Sequence, residues 1–240
     1  MTSEHQGVPT AGAWAVVLAA GDGRRLESWT RRTIGEAVPK QFCALPGSKS
    51  LLRLALERAG RLVPPERIVV VVAAKHDRWW REELAEVPLA NIVVQPRNRG
   101  TGAGILLALL HVSARDPDAT VVCLPSDHHV ERESILERAL RRSERSVAAS
   151  PENVVLLGFR ADEPDPEYGW IVPGEHDGTT WAVERFHEKP DLFTAERLVA
   201  AGALVNAFLF VARAPALLAL FETAVPQLLD AFRAIRRPGD

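Results

Sequence analysis

Two glycines and a group of basic residues follow the first apolar segment of the chain. The segment Ala15–Leu26 reads AVVLAAGDGRRL, and the short motif Pro39-Lys40-Gln41 follows it. Glycine lets the backbone take positive φ and lets N–H groups point at phosphate oxygens. Arginine can bind a phosphate through two parallel hydrogen bonds, and lysine supplies a point charge. This combination predicts a loop that holds the phosphates of a nucleotide.

The residue types within this loop narrow the chemistry further. We expect Gly21 and Gly23 to lie against the phosphates, and Arg25 and Lys40 to neutralise charge on a transferred phosphoryl group. A Walker A loop ends in Gly-Lys-Ser/Thr, whereas Gly-Arg-Arg stands here, and a dinucleotide fingerprint needs a third glycine where this chain has Leu26. The alternative is a plain strand-to-turn glycine pair with solvated arginines.

Two further loops carry polar residues at the ends of apolar segments. Gln95–Thr101 reads QPRNRGT and opens an apolar helix, with Thr101 as its expected cap. Leu124–His129 reads LPSDHH, and Asp127 near a phosphate loop suits Mg²⁺, which binds one or two carboxylates plus substrate phosphates. The adjacent histidines lack zinc-ligand spacing. The alternatives are an ordinary polar turn for the first loop and a turn or capping aspartate for the second.

The elements that must position these loops alternate between strands and helices. The predicted strands are Ala13–Ala19, Arg67–Ala73, Asn91–Val94 and Thr120–Leu124, and the predicted helices are Ser50–Leu62, Asp77–Glu86, Thr101–Arg115 and Glu131–Ala148. Strands that are apolar throughout are typical of a parallel sheet covered on both faces. This alternation predicts a three-layer, doubly wound, mostly parallel α/β fold, in which ligands bind at the carboxyl ends of the strands.

The second half of the chain is predicted to be richer in strands. Its predicted strands are Val154–Phe159, Tyr168–Val172, Thr180–Phe186 and Leu204–Val211, and its predicted helices are Asp191–Ala201 and Pro215–Arg236. We interpret this half as a substrate-binding extension of the same sheet. The predicted organisation is a flexible tail over residues 1–12 and one domain over 13–240, with a nucleotide-binding half (13–150) and a second half (151–240).

Composition excludes several other classes of protein. The 240 residues include 29 Lys and Arg and 31 Asp and Glu, so the net charge of -2 argues against a general nucleic-acid or membrane surface. The N-terminus has neither the basic start nor the apolar stretch of a signal peptide, and no apolar run approaches the roughly 20 residues that span a bilayer. With two cysteines, of which Cys123 lies in an apolar segment, we expect free buried thiols and a cytoplasmic protein.

As an ordered set, these motifs resemble those of the sugar-1-phosphate nucleotidyltransferases, also called nucleotide-sugar pyrophosphorylases. The family's opening motif is close to LAAGxGTRL…PKQ, and this chain reads LAAGDGRRL…VPKQF. The PKQF form is most similar to the mannose-1-phosphate guanylyltransferase branch. Arg24 stands where the family has threonine, and the spacing between Leu26 and Lys40 is a few residues longer than usual. The resemblance implies a Rossmann-like nucleotidyltransferase fold.

The resemblance also implies roles for residues around the nucleotide. It adds Ala19, Ala20 and Arg24 to the nucleotide contacts of the first loop, and it makes Asp127 the metal-binding aspartate of an LPADH-like motif. It brings Gln95, Pro96, Gly100 and Thr101 near the base. The base preference stays open, because Gln95 and Gly100 are more similar to the uridylyl- and thymidylyl-transferring branch.

For the sugar phosphate, the resemblance points to two motifs in the second half. Tyr168-Gly169-Trp170 and Phe186–Pro190 are similar to the family's YGxI and FxEKP. This similarity implies that Gly169 lies against the sugar, Glu188 accepts from its hydroxyls and Lys189 binds its phosphate, although EKP alone is also a common solvated turn. Asn206 is an expected sugar contact. Phe208 replaces a small residue of the family's Asn-Ser-Gly and is expected to crowd or reshape the pocket.

The expected function is transfer of a nucleotidyl group from a nucleoside triphosphate to a hexose 1-phosphate, with Mg²⁺. GTP and mannose 1-phosphate are the first choice, and a homodimer is expected by family analogy alone. Two alternatives stay open: a non-catalytic regulatory relative that binds the same ligands, and an enzyme that uses UTP or dTTP. Family members continue further and supply a second metal-binding aspartate. Here Glu222, Asp230 and Asp240 match no motif, so truncation of the second half also stays open.

Overall fold

One eight-stranded sheet joins both halves of the chain in this computed structural model, which describes residues 12–23, 26–33, 35–44 and 49–235. The strands are β1 (Ala13–Ala19), β2 (Ile68–Ala73), β3 (Ile92–Gln95), β4 (Thr120–Pro125), β5 (Val154–Arg160), β6 (Gly169–His176), β7 (Trp181–Glu188) and β8 (Leu204–Arg213). Their order is β3-β2-β1-β4-β8-β6-β7, and β5 pairs with β8. Strands β1 to β4 pair in parallel, whereas the strands of the second half pair antiparallel.

Helices cover both faces of this sheet. They are α1 (Glu27–Thr33), α2 (Leu51–Leu62), α3 (Asp77–Glu83), α4 (Thr101–Ser113), α5 (Glu133–Ala149), α6 (Leu192–Ala200), α7 (Ala214–Ala224) and α8 (Pro226–Ile235). Successive side chains of a strand point to opposite faces. Ala15 and Val17 therefore pack in the core with α2 and α5, whereas Trp14 and Val16 pack in the core with α4 and α7. The predicted doubly wound α/β fold is confirmed.

The structure differs from the sequence prediction at several helix ends. The predicted helix Pro215–Arg236 is two helices, α7 and α8, which are bent by 110° at their junction. Pro226 explains the break, because proline has no N–H to continue the helix and disfavours helical geometry in the preceding residue, Val225. Helix α1 was not predicted. The cap of α4 is Gly100 rather than Thr101, which is the first helical residue.

Two other sequence expectations concern the termini and the cysteines. Apart from Gly12, the predicted tail lies outside the described residues. Cys123 is buried and free, as expected from its apolar segment, and Cys43 is also buried and free. In the described chain, no single helix is long and apolar enough to cross a membrane, and only the bent pair of α7 and α8 reaches that length and composition when taken together.

A separate small core fixes the start of β6. Trp170 is fully buried against Ala195 and Leu198 of α6 and Val205 of β8. Its indole N–H donates to the carbonyl oxygen of Asp165 at 3.1 Å. This anchor fixes the position of Tyr168 and Gly169, the two residues that precede Trp170 in the chain.

We predict that Trp170→Ala lowers the free energy of unfolding by about 3–5 kcal/mol, because it leaves a large cavity in this small core. Trp181→Ala is the matched control, since Trp181 is 58% exposed and its loss should cost less than about 1 kcal/mol. Denaturant unfolding of both variants measures the difference. Equal losses would contradict the assignment of Trp170 as the anchor.

Candidate active site

Two cavities meet at the carboxyl ends of the parallel strands. The smaller, of about 250 Å³, lies over β1, β2 and β4 and includes Gly21, Gly23 and Gln95 in its lining. The larger, of about 600 Å³, extends toward the second half of the chain. Thr101, Asp127 and Phe208 line both cavities, so the two form one cleft with a shared junction.

The glycine loop after β1 is held in place by the segment Pro39–Gln41. The buried side-chain amide of Gln41 donates to the carbonyl oxygens of Ala19 at 3.1 Å and Gly21 at 2.9 Å. The backbone N–H of Lys40 donates to the carbonyl oxygen of Gly23 at 3.2 Å. These bonds make the loop and the segment one unit, and they give Gln41 a positioning role that sequence reasoning missed.

Gly23 is required at this contact for two separate reasons. Its φ of 65° lies in the left-handed region that residues with a side chain rarely adopt. A Cβ at this position would also lie 2.5 Å from the backbone nitrogen of Lys40 and 2.7 Å from Oε1 of Gln41. The close approach of two backbone segments therefore leaves room only for glycine.

Side chains from neighbouring loops also tie the glycine loop to the sheet edge. The Lys75 ammonium after β2 pairs with the Asp22 carboxylate. Asn98, which follows β3 and lines the smaller cavity, donates from Nδ2 to the same Asp22 oxygen at 3.4 Å. Ser126 at the end of β4 donates from Oγ to the carbonyl oxygen of Leu18 at 2.7 Å. These contacts link the loops that follow all four parallel strands, at the carboxyl ends of those strands.

The junction of the two cavities combines a carboxylate, an ammonium and a helix N-terminus. Lys40 Nζ lies 3.2 Å from Asp127 Oδ2, so the two side chains form an ion pair. Thr101 begins α4, and Gly100 precedes it with a φ of 86°. The first N–H groups of an α-helix have no partner within the helix and carry partial positive charge. This arrangement suits an anion with a cation beside it.

A mostly buried ion pair supports the loop that carries Asp127. Arg58 is 2% exposed and donates to both carboxylate oxygens of Glu133, from Nε at 3.0 Å and from Nη2 at 2.7 Å. The same Nη2 donates to the carbonyl oxygen of His128 at 3.4 Å. Burial raises the pKa of Glu133, but the hydrogen bonds and charges of Arg58 and Arg61 outweigh this effect and lower it.

Both histidines of this loop face the larger cavity. Burial lowers the pKa of His128, and the charges of Lys40 and Arg58 act in the same direction. The nearby Asp127 carboxylate opposes this shift without reversing it. Among the described residues no cluster of three His, Cys, Asp or Glu side chains could hold a metal.

The second half brings Gly169, Glu188 and Asn206 to the larger cavity. Gly169 pairs with Glu188 across β6 and β7. A Cβ on Gly169 would lie 2.8 Å from Cζ of Phe186 and 3.0 Å from Oε2 of Glu188, so a larger residue here would displace the ends of these two side chains. Lys189 has a φ of 46°, and its N–H donates to the carbonyl oxygen of Tyr168 at 3.2 Å.

Most of the residues that the sequence singled out converge on this cleft. The predicted residues that line it are Ala20, Gly21, Gly23, Lys40, Gln95, Gly100, Thr101, Asp127, Gly169, Glu188 and Asn206. Of the other described residues predicted for the site, Ala19, Pro96 and Lys189 line neither cavity. Arg24 and Arg25 lie outside the described residues.

Several lining residues had no assigned role in the sequence analysis. They are Gln41, Asn98, Ser126, Phe159, Glu167 and Tyr168. Four of the six lie inside motifs quoted above, so proximity to a motif was the available signal. Phe159 and Glu167 carried no such signal, because they belong to the second half and reach the cavity only through the pairing of β5 and β6 with β8.

The acidic residues near the end of the described chain lie elsewhere. Glu222 and Asp230 face Arg233 at 3.4 Å and 3.9 Å, at the corner between α7 and α8. Neither lines the cleft. Asp240 lies outside the described residues.

Comparison with known proteins identifies the class to which this fold and cleft belong. Residues 14–214 match the family described as Nucleotidyl transferase, and the chain is a member of that family. This membership confirms the resemblance seen in the sequence.

Individual relatives point to one branch of the family. Xanthan biosynthesis protein XanB of Xanthomonas campestris is 32% identical over 219 residues, which cover 90% of this chain and 45% of that protein. Mannose-1-phosphate guanylyltransferase of Escherichia coli K12 is 31% identical over 228 residues, which cover 91% of this chain and 46% of that protein. The chain thus spans about half the length of the curated relatives it matches.

A solved structure is similar to the chain and supports the same branch of the family. The crystal structure of a protein named mannose-1-phosphate geranyltransferase, from Thermus thermophilus, superposes with a TM-score of 0.84 at 28% identity. The match covers 95% of this chain and 65% of that chain.

We predict that Gly23→Ala is more destabilising than Gly35→Ala. Both glycines have positive φ, but a Cβ on Gly35 would meet nothing within 4 Å. Gly35→Ala should therefore cost only the backbone strain, about 1 kcal/mol, whereas Gly23→Ala adds a clash with the Lys40 backbone. Chemical denaturation measures both losses, and equal values would contradict the close packing of loop and segment.

We also predict that Glu133→Gln costs about 3 kcal/mol at neutral pH, because it leaves the Arg58 charge buried without its partner. The pKa of Glu133 is lower in the folded than in the unfolded chain. Its stabilisation is therefore complete above the unfolded pKa, about 4.3, and is lost as the pH falls through the lower folded pKa.

The measurement is the free energy of unfolding of wild type and Glu133→Gln at a series of pH values. The difference between them should narrow in acid. Glu222→Gln is the control, because Glu222 belongs to an exposed pair that should contribute less than about 1 kcal/mol. A difference that stays constant with pH would contradict the role of the ionised carboxylate.

Proposed function

We propose that this chain transfers a nucleotidyl group from a nucleoside triphosphate to a hexose 1-phosphate, with GTP and mannose 1-phosphate as the first choice. The observation that carries the proposal is the cleft itself, in which a glycine-loop cavity and a second cavity share Asp127 beside Lys40. The identity to mannose-1-phosphate guanylyltransferase of Escherichia coli K12 supports the choice of substrates.

The reaction needs positioning and charge neutralisation more than acid–base chemistry. A phosphate oxygen of the sugar phosphate attacks the α-phosphorus of the triphosphate in line. A new P–O bond forms, the bond from the α-phosphorus to the bridging oxygen breaks, and pyrophosphate leaves with that electron pair. The nucleophile is already an anion, so no strong base is required. Holding the two anions together is the main task of the protein.

The smaller cavity would hold the nucleotide. Backbone N–H groups of Gly21 and Gly23 are free of side chains that would block a phosphate. The N-terminus of α4 at Thr101 adds partial positive charge at the junction. Lys40 and Arg25 would neutralise the charge that develops on the phosphates, and Ala19, Ala20 and Arg24 would complete the contacts of this loop.

Asp127 fits the role of a magnesium ligand. It lies at the shared junction, where phosphates of both substrates would meet, and Mg²⁺ commonly combines one or two carboxylates with phosphate oxygens. Bound there, Mg²⁺ would supply electrostatic stabilisation of the phosphate charges. The ammonium of Lys40, at 3.2 Å from Asp127, would act on the same phosphates.

The larger cavity would hold the sugar phosphate. The Glu188 carboxylate can accept hydrogen bonds from sugar hydroxyls, and Asn206 can both donate and accept. Gly169 lines the same cavity beside Glu188 and would lie against the sugar. Lys189 follows Glu188 directly and would supply its charge to the sugar phosphate.

The identity of the nucleotide base is the least constrained part of the proposal. Gln95 is buried in the smaller cavity against Gly104, and Pro96 follows it at the end of β3. A side-chain amide both donates and accepts, so it can pair with guanine and equally with uracil or thymine. UTP or dTTP is therefore the second candidate, and the similarity of Gln95 and Gly100 to the uridylyl- and thymidylyl-transferring branch supports it.

We predict that Asp127→Asn lowers pyrophosphate release by at least about 100-fold, because it removes the carboxylate at the junction. Asp230→Asn is the control and should retain wild-type rates, since Asp230 is exposed on α8 beside Arg233. The assay measures Mg²⁺-dependent pyrophosphate release from four nucleoside triphosphates, each with mannose 1-phosphate and glucose 1-phosphate.

The pattern of products separates the alternatives. Release with GTP supports the first choice, and release with UTP or dTTP but not GTP overturns the guanylyl assignment. Binding of triphosphate and sugar phosphate without any release would favour a regulatory relative. Wild-type rates in Asp127→Asn would remove Asp127 from the metal site.

A further inference from the structure

Phe208 has an unusual backbone conformation. Its φ is 53°, and Lys189 is the other non-glycine residue with positive φ in the part of the chain that the structure describes. Residues with a side chain rarely adopt this left-handed region, least of all bulky ones. The side chain of Asn206 stabilises the conformation, because its Oδ1 accepts a hydrogen bond from the N–H of Phe208 at 3.1 Å.

A bulge in the sheet produces this conformation. Leu157 pairs with Leu209 and Gly158 pairs with Asn206, so Ala207 and Phe208 are left without partners on β5. Bulges redirect a side chain that regular pairing would place elsewhere and are frequent beside active sites. Here the redirected side chain lines both cavities of the cleft, together with Thr101 and Asp127.

This placement puts an aromatic ring beside the atoms that would react. Under the proposed function, on which this inference rests, a nucleotide in the smaller cavity and a sugar phosphate in the larger one can react only where the cavities join. Phe208 lines that junction with an apolar ring, which offers no hydrogen bond to a phosphate and occupies volume next to it.

The chemistry of a sugar 1-phosphate determines which of its groups lies nearest. Its phosphate is bonded to carbon 1, so the substituent on carbon 2 follows immediately along the ring. A hydroxyl at carbon 2 is small, whereas an acetamido group adds three heavy atoms. We propose that Phe208 is a specificity-determining residue that restricts the acceptor to sugar 1-phosphates with a small substituent on carbon 2.

The test compares two acceptors that differ only in the substituent on carbon 2, mannose 1-phosphate and N-acetylmannosamine 1-phosphate. The kcat/KM for each is measured in wild type, Phe208→Ala and Phe208→Gly, with the triphosphate that gives the highest turnover. The ratio for the acetamido sugar over mannose should be low in wild type and should rise at least about tenfold in both variants. Glycine suits the positive φ at this position, so Phe208→Gly is expected to fold.

Phe159→Ala is the matched control. Phe159 lines the larger cavity but not the smaller one, so its loss widens the cleft away from the junction. The ratio should stay at its wild-type value in this variant. A similar rise in Phe159→Ala would show that cavity volume, and not the position of Phe208, sets the preference, and would overturn the proposal.

Two other results would overturn it. One is a wild-type enzyme that uses both sugars equally, and the other is a ratio that is unchanged in both Phe208 variants. If wild type releases no pyrophosphate with any substrate pair, the proposed function fails by itself. In that case, calorimetry measures the binding constants of the same two sugar phosphates in the same variants. The ratio of these two binding constants then decides the role of Phe208.

Discussion

The contact between Gly23 and the segment Pro39–Gln41 is the constraint on which the cleft depends. Two stretches of backbone approach so closely that one Cβ would prevent the fit. The amide of Gln41 closes the contact by binding the carbonyl groups at the end of β1. This contact brings Lys40 to the glycine loop and, through the ion pair with Asp127, to the end of β4. Without it, the ammonium of Lys40 and the carboxylate of Asp127 would not share one junction.

The parallel half of the sheet explains why separate motifs become one site. Parallel strands end at the same edge, so the loops after β1, β2, β3 and β4 lie side by side. Polar side chains then link these loops, as Asp22 does between Lys75 and Asn98. Beneath the Asp127 loop, Arg58 and Glu133 form a mostly buried pair that fixes its backbone. Contacts at the carboxyl ends of the strands and contacts from the layer beneath them therefore both support the loops of the site.

The antiparallel half of the sheet supplies much of the wall of the larger cavity. Strand β8 runs antiparallel to β4, and β5 and β6 pair with it, so a second set of strands extends the sheet beyond the first. Their pairing forms the larger cavity and introduces the bulge at Phe208. Strands that lie far from the glycine loop in sequence therefore supply walls of the larger cavity.

The amino-acid sequence by itself determined the fold class and most of the cleft. Apolar strands that alternate with helices predict a sheet covered on both faces. Glycines, a lysine and an aspartate near the ends of the strands predict a polar cleft at their carboxyl ends, so local patterns suffice for both predictions. Tertiary structure alone decided the positioning role of Gln41 and the place of Phe208 between two cavities. Both depend on contacts or pairings between segments that are distant along the chain. Such choices are made by close packing and strand register, which no single stretch of sequence encodes.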